Sequence, residues 1–236
     1  FTDFDSDTDG DTASCWRQYN TYNPTSAYAR VEALSTFNAT QPLSGANVLE
    51  FYSWFGFTAA TDTLMAITPQ FSDLSAGDKQ IRFSAATAST ANELIVGTTS
   101  SPTGTGSVTI IDTLSFSTDN TWELKIVPLN AANGYNGTDE YVVLMHSLGA
   151  TFSDIYVDDF NYELIPPCPS PVGLSLVATT DSNATISWDV SSNTNFDIEW
   201  GPVGFTQGTS SVTPVTNDTV TFGPLAANTC YDVYMR

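Results

Sequence analysis

The chain has 236 residues, with 26 Asp plus Glu against six Lys plus Arg and a net charge of -20. That balance excludes nucleic acid and anionic membrane surfaces as partners, because nothing would neutralise phosphates, and it leaves cations as the natural small partners. Hydrophobic content of 41% and aromatic content of 12% allow a substantial core, in one large or two ordinary domains. No apolar run approaches the roughly 20 residues of a membrane span. The opening Phe1-Thr2-Asp3 is already acidic and does not read as a signal peptide. The last strand breaks off at Arg236, so the chain is expected to be a piece of something longer.

In chain order, residues 1–20 read as an acidic, Gly-punctuated loop ending in Trp16 and Tyr19, and 21–45 as irregular. The segment 47–57 (NVLEFYSWFGF) is a strong strand dense in aromatic residues. A shorter strand at 63–68 stops at Pro69, and 72–78 is a turn. Segment 79–85 (KQIRFSA) alternates, with Ile81 and Phe83 on one face and Arg82 on the other. Further strands are expected at 93–98, 107–116, 122–128 and 139–147. The last strand of this half is 151–163, whose Ile155, Val157 and Phe160 should face a core while Tyr156 and Asp158 face away. No window keeps apolar positions at helical spacing. Many short strands between turn signals predict an all-β fold, a jelly-roll β-sandwich.

The proline cluster at 165–171 stops any strand or helix. The domains are therefore drawn as 1–163, a linker at 164–170, and 171–236. Beyond the linker, strands are expected at 171–179, 183–190 (with Trp188 buried), 195–201, 218–222 and 229–235. They fit a smaller Ig-like Greek-key sandwich lacking its last strand.

Several constellations could carry chemistry. Asp3, Asp5, Asp7, Asp9 and Asp11 alternate around Gly10. Alternate carboxylates can converge on one hard cation, Ca2+, and the glycine permits the turn that folds the loop around it. The loop is not an EF-hand, because Trp16 stands where the bidentate Glu belongs. Asp158 and Asp159 form the second acidic pair. Alternation sends one of them inward, where it needs either a cation or a neutralising Arg17 or Arg30. The run 51–57 reads as a strand buried on both faces. Tyr19, Tyr22 and Tyr28 are better candidates for exposed, sugar-stacking rings. His146, the only histidine, has no nucleophile motif beside it and reads as structural. Glu50, Glu93 and Glu123 lie on unrelated strands and form no recognisable catalytic pair, so no enzyme is expected. Cys168 and Cys230 flank the second domain and could bridge, and Cys15 is expected to be buried beside Trp16.

Residues 1–163 resemble the cleaved-adhesin and MAM-like jelly rolls of Bacteroidota surface proteins. The opening Asp7-Thr8-Asp9-Gly10-Asp11 with Trp16 carries the resemblance. So do the segments Ile67-Thr68-Pro69-Gln70-Phe71-Ser72-Asp73-Leu74-Ser75, Asp119-Asn120-Thr121-Trp122 and Ile155-Tyr156-Val157-Asp158-Asp159-Phe160, in the family's order. Residues 164–236 resemble a fibronectin type III domain through Pro169-Ser170-Pro171, Ala184-Thr185-Ile186-Ser187-Trp188 and the run from Leu225 to Tyr234.

The resemblance implies a secreted or cell-surface protein exported by type IX secretion. Its module would be adhesive and would bind glycans, an extracellular protein or neighbouring modules. In that family the closing strand runs near the opening loop. Asp158 or Asp159 would then complete one calcium site with Asp5, Asp7, Asp9 and Asp11. A non-catalytic accessory region of a secreted hydrolase, or a spacer in a surface filament, are the other readings. Asp-Thr-aliphatic triplets at Thr12, Thr63, Thr113 and Thr219 look like the O-glycosylation signal of the same bacteria.

Overall fold

Alternating apolar residues and turn-forming segments produce strands throughout. The computed structural model describes residues 1–22, 25–33, 42–53, 62–146, 153–167, 171–189 and 195–235. It divides into two units, Phe1–Ile165 and Pro166–Arg236. The first contains β1 (Arg17–Asn20), β2 (Ala27–Ala33), β3 (Asn47–Ser53), β4 (Leu64–Ile67), β5 (Lys79–Thr87), β6 (Glu93–Thr99), β7 (Thr109–Ser115), β8 (Glu123–Leu129), β9 (Tyr141–His146) and β10 (Ser153–Leu164). The described residues include only two single-turn 3-10 helices, Leu74–Ala76 and Ala131–Asn133, and no α-helix.

Two five-stranded antiparallel sheets build this unit. Their orders are β1-β4-β9-β6-β7 and β2-β3-β10-β5-β8. One core lies between them, with Ala29, Val31, Phe51, Ile81, Phe83 and Val157 from one sheet meeting Leu64, Leu94, Val96 and Leu144 from the other. The fold is an all-β sandwich, as the strand pattern predicts.

Two strands of this unit were not predicted. β1 has one aromatic residue, Tyr19, and no aliphatic one. β2 lies within the stretch read as irregular, and its inward residues are the small Ala27 and Ala29 with Val31, a weak hydrophobic signal. The aromatic residues Trp54, Phe55 and Phe57 fall outside the described residues.

β10 holds the first unit together by pairing with both β3 and β5. Its register on β5 shifts between Asp158 and Asn161, and Asp159 takes a left-handed φ of 52°. Aspartate tolerates that conformation better than most residues. The extra residue resets the alternation, so Phe160 joins Ile155 and Val157 in the core. Phe160 also pairs with the opening loop. The Thr2 N–H donates to the Phe160 carbonyl and the Phe160 N–H to the Thr2 carbonyl, both at 2.8 Å.

The second unit contains β11 (Val172–Thr179), β12 (Ala184–Asp189), β13 (Phe196–Pro202), β14 (Thr213–Val215), β15 (Thr219–Phe222) and β16 (Tyr231–Met235). They form two three-stranded sheets, β11-β12-β15 and β14-β13-β16. Trp188 is buried and meets Phe196 edge-on in a core shared with Ile186, Ile198 and Phe222.

Candidate functional site

The opening acids and the closing strand meet at one short loop, residues 42–47. Asp5 Oδ1 accepts the backbone N–H groups of Ala46 (2.6 Å) and Asn47 (3.0 Å). From the other side, Asp158 Oδ2 accepts those of Leu43 (3.1 Å) and Ser44 (3.0 Å), while its Oδ1 accepts from Asp159 N. The Ser44 hydroxyl donates to Asp159 Oδ1 at 2.9 Å. Asp158 is 0% exposed. Burial pushes its pKa up, and the backbone donors, Ser44 first, pull it back.

Gly45 sits between these carboxylates with φ of 53°. A Cβ there would lie 1.5 Å from Asp5 Oδ2. Gly45→Ala is therefore expected to displace Asp5 and strain the turn at once, at a cost of about 2 kcal/mol or more. Chemical denaturation would measure it, and an unchanged midpoint would mean that the turn tolerates other conformations.

The remaining acids hold other segments. Asp7 Oδ1 accepts Ser14 N at 3.1 Å, and Asp9 Oδ1 accepts Ala33 N at 2.8 Å. Asp11 contributes its carbonyl, which accepts Val31 N. The structure thus brings Asp5, Asp158 and Asp159 to one loop, and places Asp7 and Asp9 on separate backbone groups. Among the described residues no three acidic, His or Cys side chains are grouped to hold a metal.

Among the described residues, no base compensates them. Arg30 pairs with Glu32, and Arg17 donates to the Pro102 carbonyl at 3.1 Å. Neither arginine takes the neutralising role considered for Asp158 and Asp159. The bulge also keeps both carboxylates on the loop side, so neither enters the core as alternation alone would require.

A second polar cluster lies on the outer face of the sheet formed by β2, β3 and β10. Strand register places Arg30 opposite Glu50, Glu50 opposite Tyr156, and Tyr52 opposite Asp154. Tyr28 stacks on Tyr52 at 5.1 Å, and the Arg30 guanidinium lies 3.7 Å over the Tyr28 ring. Glu50 is only 6% exposed. Burial, then the nearby Asp154 and Glu32 charges, push its pKa up to about 8. Burial also raises the Asp154 carboxyl.

Other side chains depart from expectation. Tyr19 and Tyr22 pack against apolar clusters, so they do not stand free as sugar platforms. Cys15 is exposed, because its left-handed φ of 65° turns the chain just before Trp16 and only the indole goes inward. Cys230 is exposed too, and Cys168 lies outside the described residues. His146 is buried in β9.

No family model matches the chain, and no curated protein matches it. Solved structures do. The K2 cleaved adhesin domain of Lys-gingipain, from Porphyromonas, superposes with a TM-score of 0.52 at 16% identity, covering 68% of this chain and 95% of that domain. At that identity the likeness is one of fold, a β-sandwich. The K1 cleaved adhesin domain from Porphyromonas gingivalis follows at a TM-score of 0.49 and 18% identity, over 66% of this chain and 94% of that one. A family 61 carbohydrate-binding module in complex with β-1,4-galactotriose gives 0.42 and 10%, over 65% and 90%. Among the described residues, no helix is long and apolar enough to cross a membrane.

Proposed function

We propose that this chain is a non-catalytic adhesion module of a larger secreted or cell-surface protein, exported by type IX secretion, that binds a glycan or an extracellular protein. The observation that carries the reading is the likeness in fold to a cleaved adhesin domain over nearly all of that domain's length. The net charge of -20 agrees with it, since it disfavours nucleic acid and membrane surfaces. We read the second unit as a fibronectin type III domain on its three-plus-three strand order and buried Trp188.

We also propose calcium as a stabilising ion of the opening loop. Support comes from charge and donor chemistry. Asp5, Asp7, Asp9, Asp158 and Asp159 offer oxygen donors suited to a hard cation. No ion pair between described residues reaches them.

The test is a screen of the whole chain against immobilised glycans and matrix proteins, in calcium and again in chelator. Binding in calcium is expected, together with a melting temperature that rises with free calcium. No ligand in either condition sinks the adhesive reading. A melting temperature indifferent to calcium and chelator removes the ion.

A further inference from the structure

The first unit has a cavity at its opening segment. It encloses about 240 Å³ where the opening loop crosses the closing strand. Its walls are chiefly Phe1, Trp16, Phe71, Phe160 and Tyr162, with the polar Thr2 and Ser14 also lining it. Trp16 and Phe160 meet edge to face at 5.0 Å and are almost completely buried, so they form a fixed back wall. Phe71 and Tyr162 stack nearly parallel, 6° apart at 3.8 Å, and both are half-buried. The Tyr162 hydroxyl donates to Asp73 Oδ1 at 2.9 Å, which fixes the ring. Phe1 is 76% exposed and stands at the mouth.

The chemistry of the lining selects the ligand. In a protein of net charge -20, none of the lining side chains is charged. An anion would find no basic side chain. A cation would find no free acid either, because Asp73, the carboxylate behind Tyr162, already holds Lys79 at 3.2 Å. The cavity lies below the roughly 300–1,000 Å³ of a pocket for a drug-sized ligand, so it admits one ring. An aromatic lining with Thr2 and Ser14 beside it suits a ligand with one apolar face and a polar edge.

We propose that this aromatic cavity is the module's glycan subsite and takes a single neutral hexopyranose, its C–H face against the aromatic lining and its hydroxyls toward Ser14 and solvent. The inference rests on the reading of the chain as a binding module and names the ligand class for it.

The test uses saturation-transfer NMR on the whole chain. The probes are methyl β-galactopyranoside, methyl β-glucopyranoside, methyl α-mannopyranoside, glucuronate and tetramethylammonium. Transfer to the C–H protons of at least one neutral methyl glycoside is expected, with none to glucuronate or tetramethylammonium. Phe1→Ala, at an exposed position that should leave the melting temperature unchanged, weakens binding several-fold. Phe71→Ala weakens it at least tenfold.

Neutral-sugar binding untouched by both variants would overturn the subsite and leave the adhesive reading standing. Transfer to tetramethylammonium alone, or a matrix protein bound through this cavity with no sugar bound, would overturn the ligand class. Absence of any sugar, peptide or matrix ligand would overturn the inference and the adhesive reading together.

Discussion

Glu50→Gln raises the melting temperature at pH 8.5 by roughly 10 °C and changes it little near pH 5. The reason is the burial of the carboxyl among Tyr28, Asp154 and Tyr156, which lifts its pKa in the folded chain to about 8 from an ordinary 4.5. In the unfolded chain it ionises as usual. Between those two values the folded state holds a proton that the unfolded state releases, so stability falls as pH rises. It is fully present below the ordinary value and lost through about pH 8. A gap of that size corresponds to something on the order of 5 kcal/mol. Glutamine keeps the shape and cannot ionise, so the variant's stability should be nearly flat across this range. Thermal melts from pH 5 to 9 decide it. Parallel curves for variant and parent would show that Glu50 is ionised in the fold and paired with Arg30.

Asp158→Ala should cost about 3–5 kcal/mol. The side chain is wholly buried and accepts three backbone N–H groups, from Leu43, Ser44 and Asp159. Its loss removes charge-assisted bonds and leaves those donors without their partner. Asp158→Asn keeps an acceptor oxygen and recovers part of the loss. Hydrogen exchange gives the local signature, because the Leu43 and Ser44 amides should lose protection before the core strands do. Unchanged protection at those two amides would mean that loop 42–47 is held by something else.

The strands were legible where large apolar residues alternate, as in β5, whose Ile81 and Phe83 face the core and whose Arg82 faces out. β2 obeys the same rule with alanines, too small to stand out against a Thr- and Ser-rich background. The bulge at Asp159 follows from partner register, a property of two strands that no single segment displays. Non-local pairing likewise creates the Glu50 environment, because β3 and β10 bring Asp154 beside it from the far end of the unit. The acidic residues were visible as acids. Their engagement with loop 42–47 was not, because an acceptor's partner is fixed by topology.

The pairing of Thr2 with Phe160 has a mechanical side. Because the bridge is antiparallel, the segment entering at Phe1 and the strand leaving toward Ile165 emerge at the same end of the sandwich. A pull on these two points opens the two bridging hydrogen bonds by peeling, where a sheared row would share the load. β10 stays anchored along β5 while the opening segment lifts, so the force next meets Trp16, wedged between Phe4 and Phe160. The cavity walls are therefore the first part of the core to feel tension on the chain.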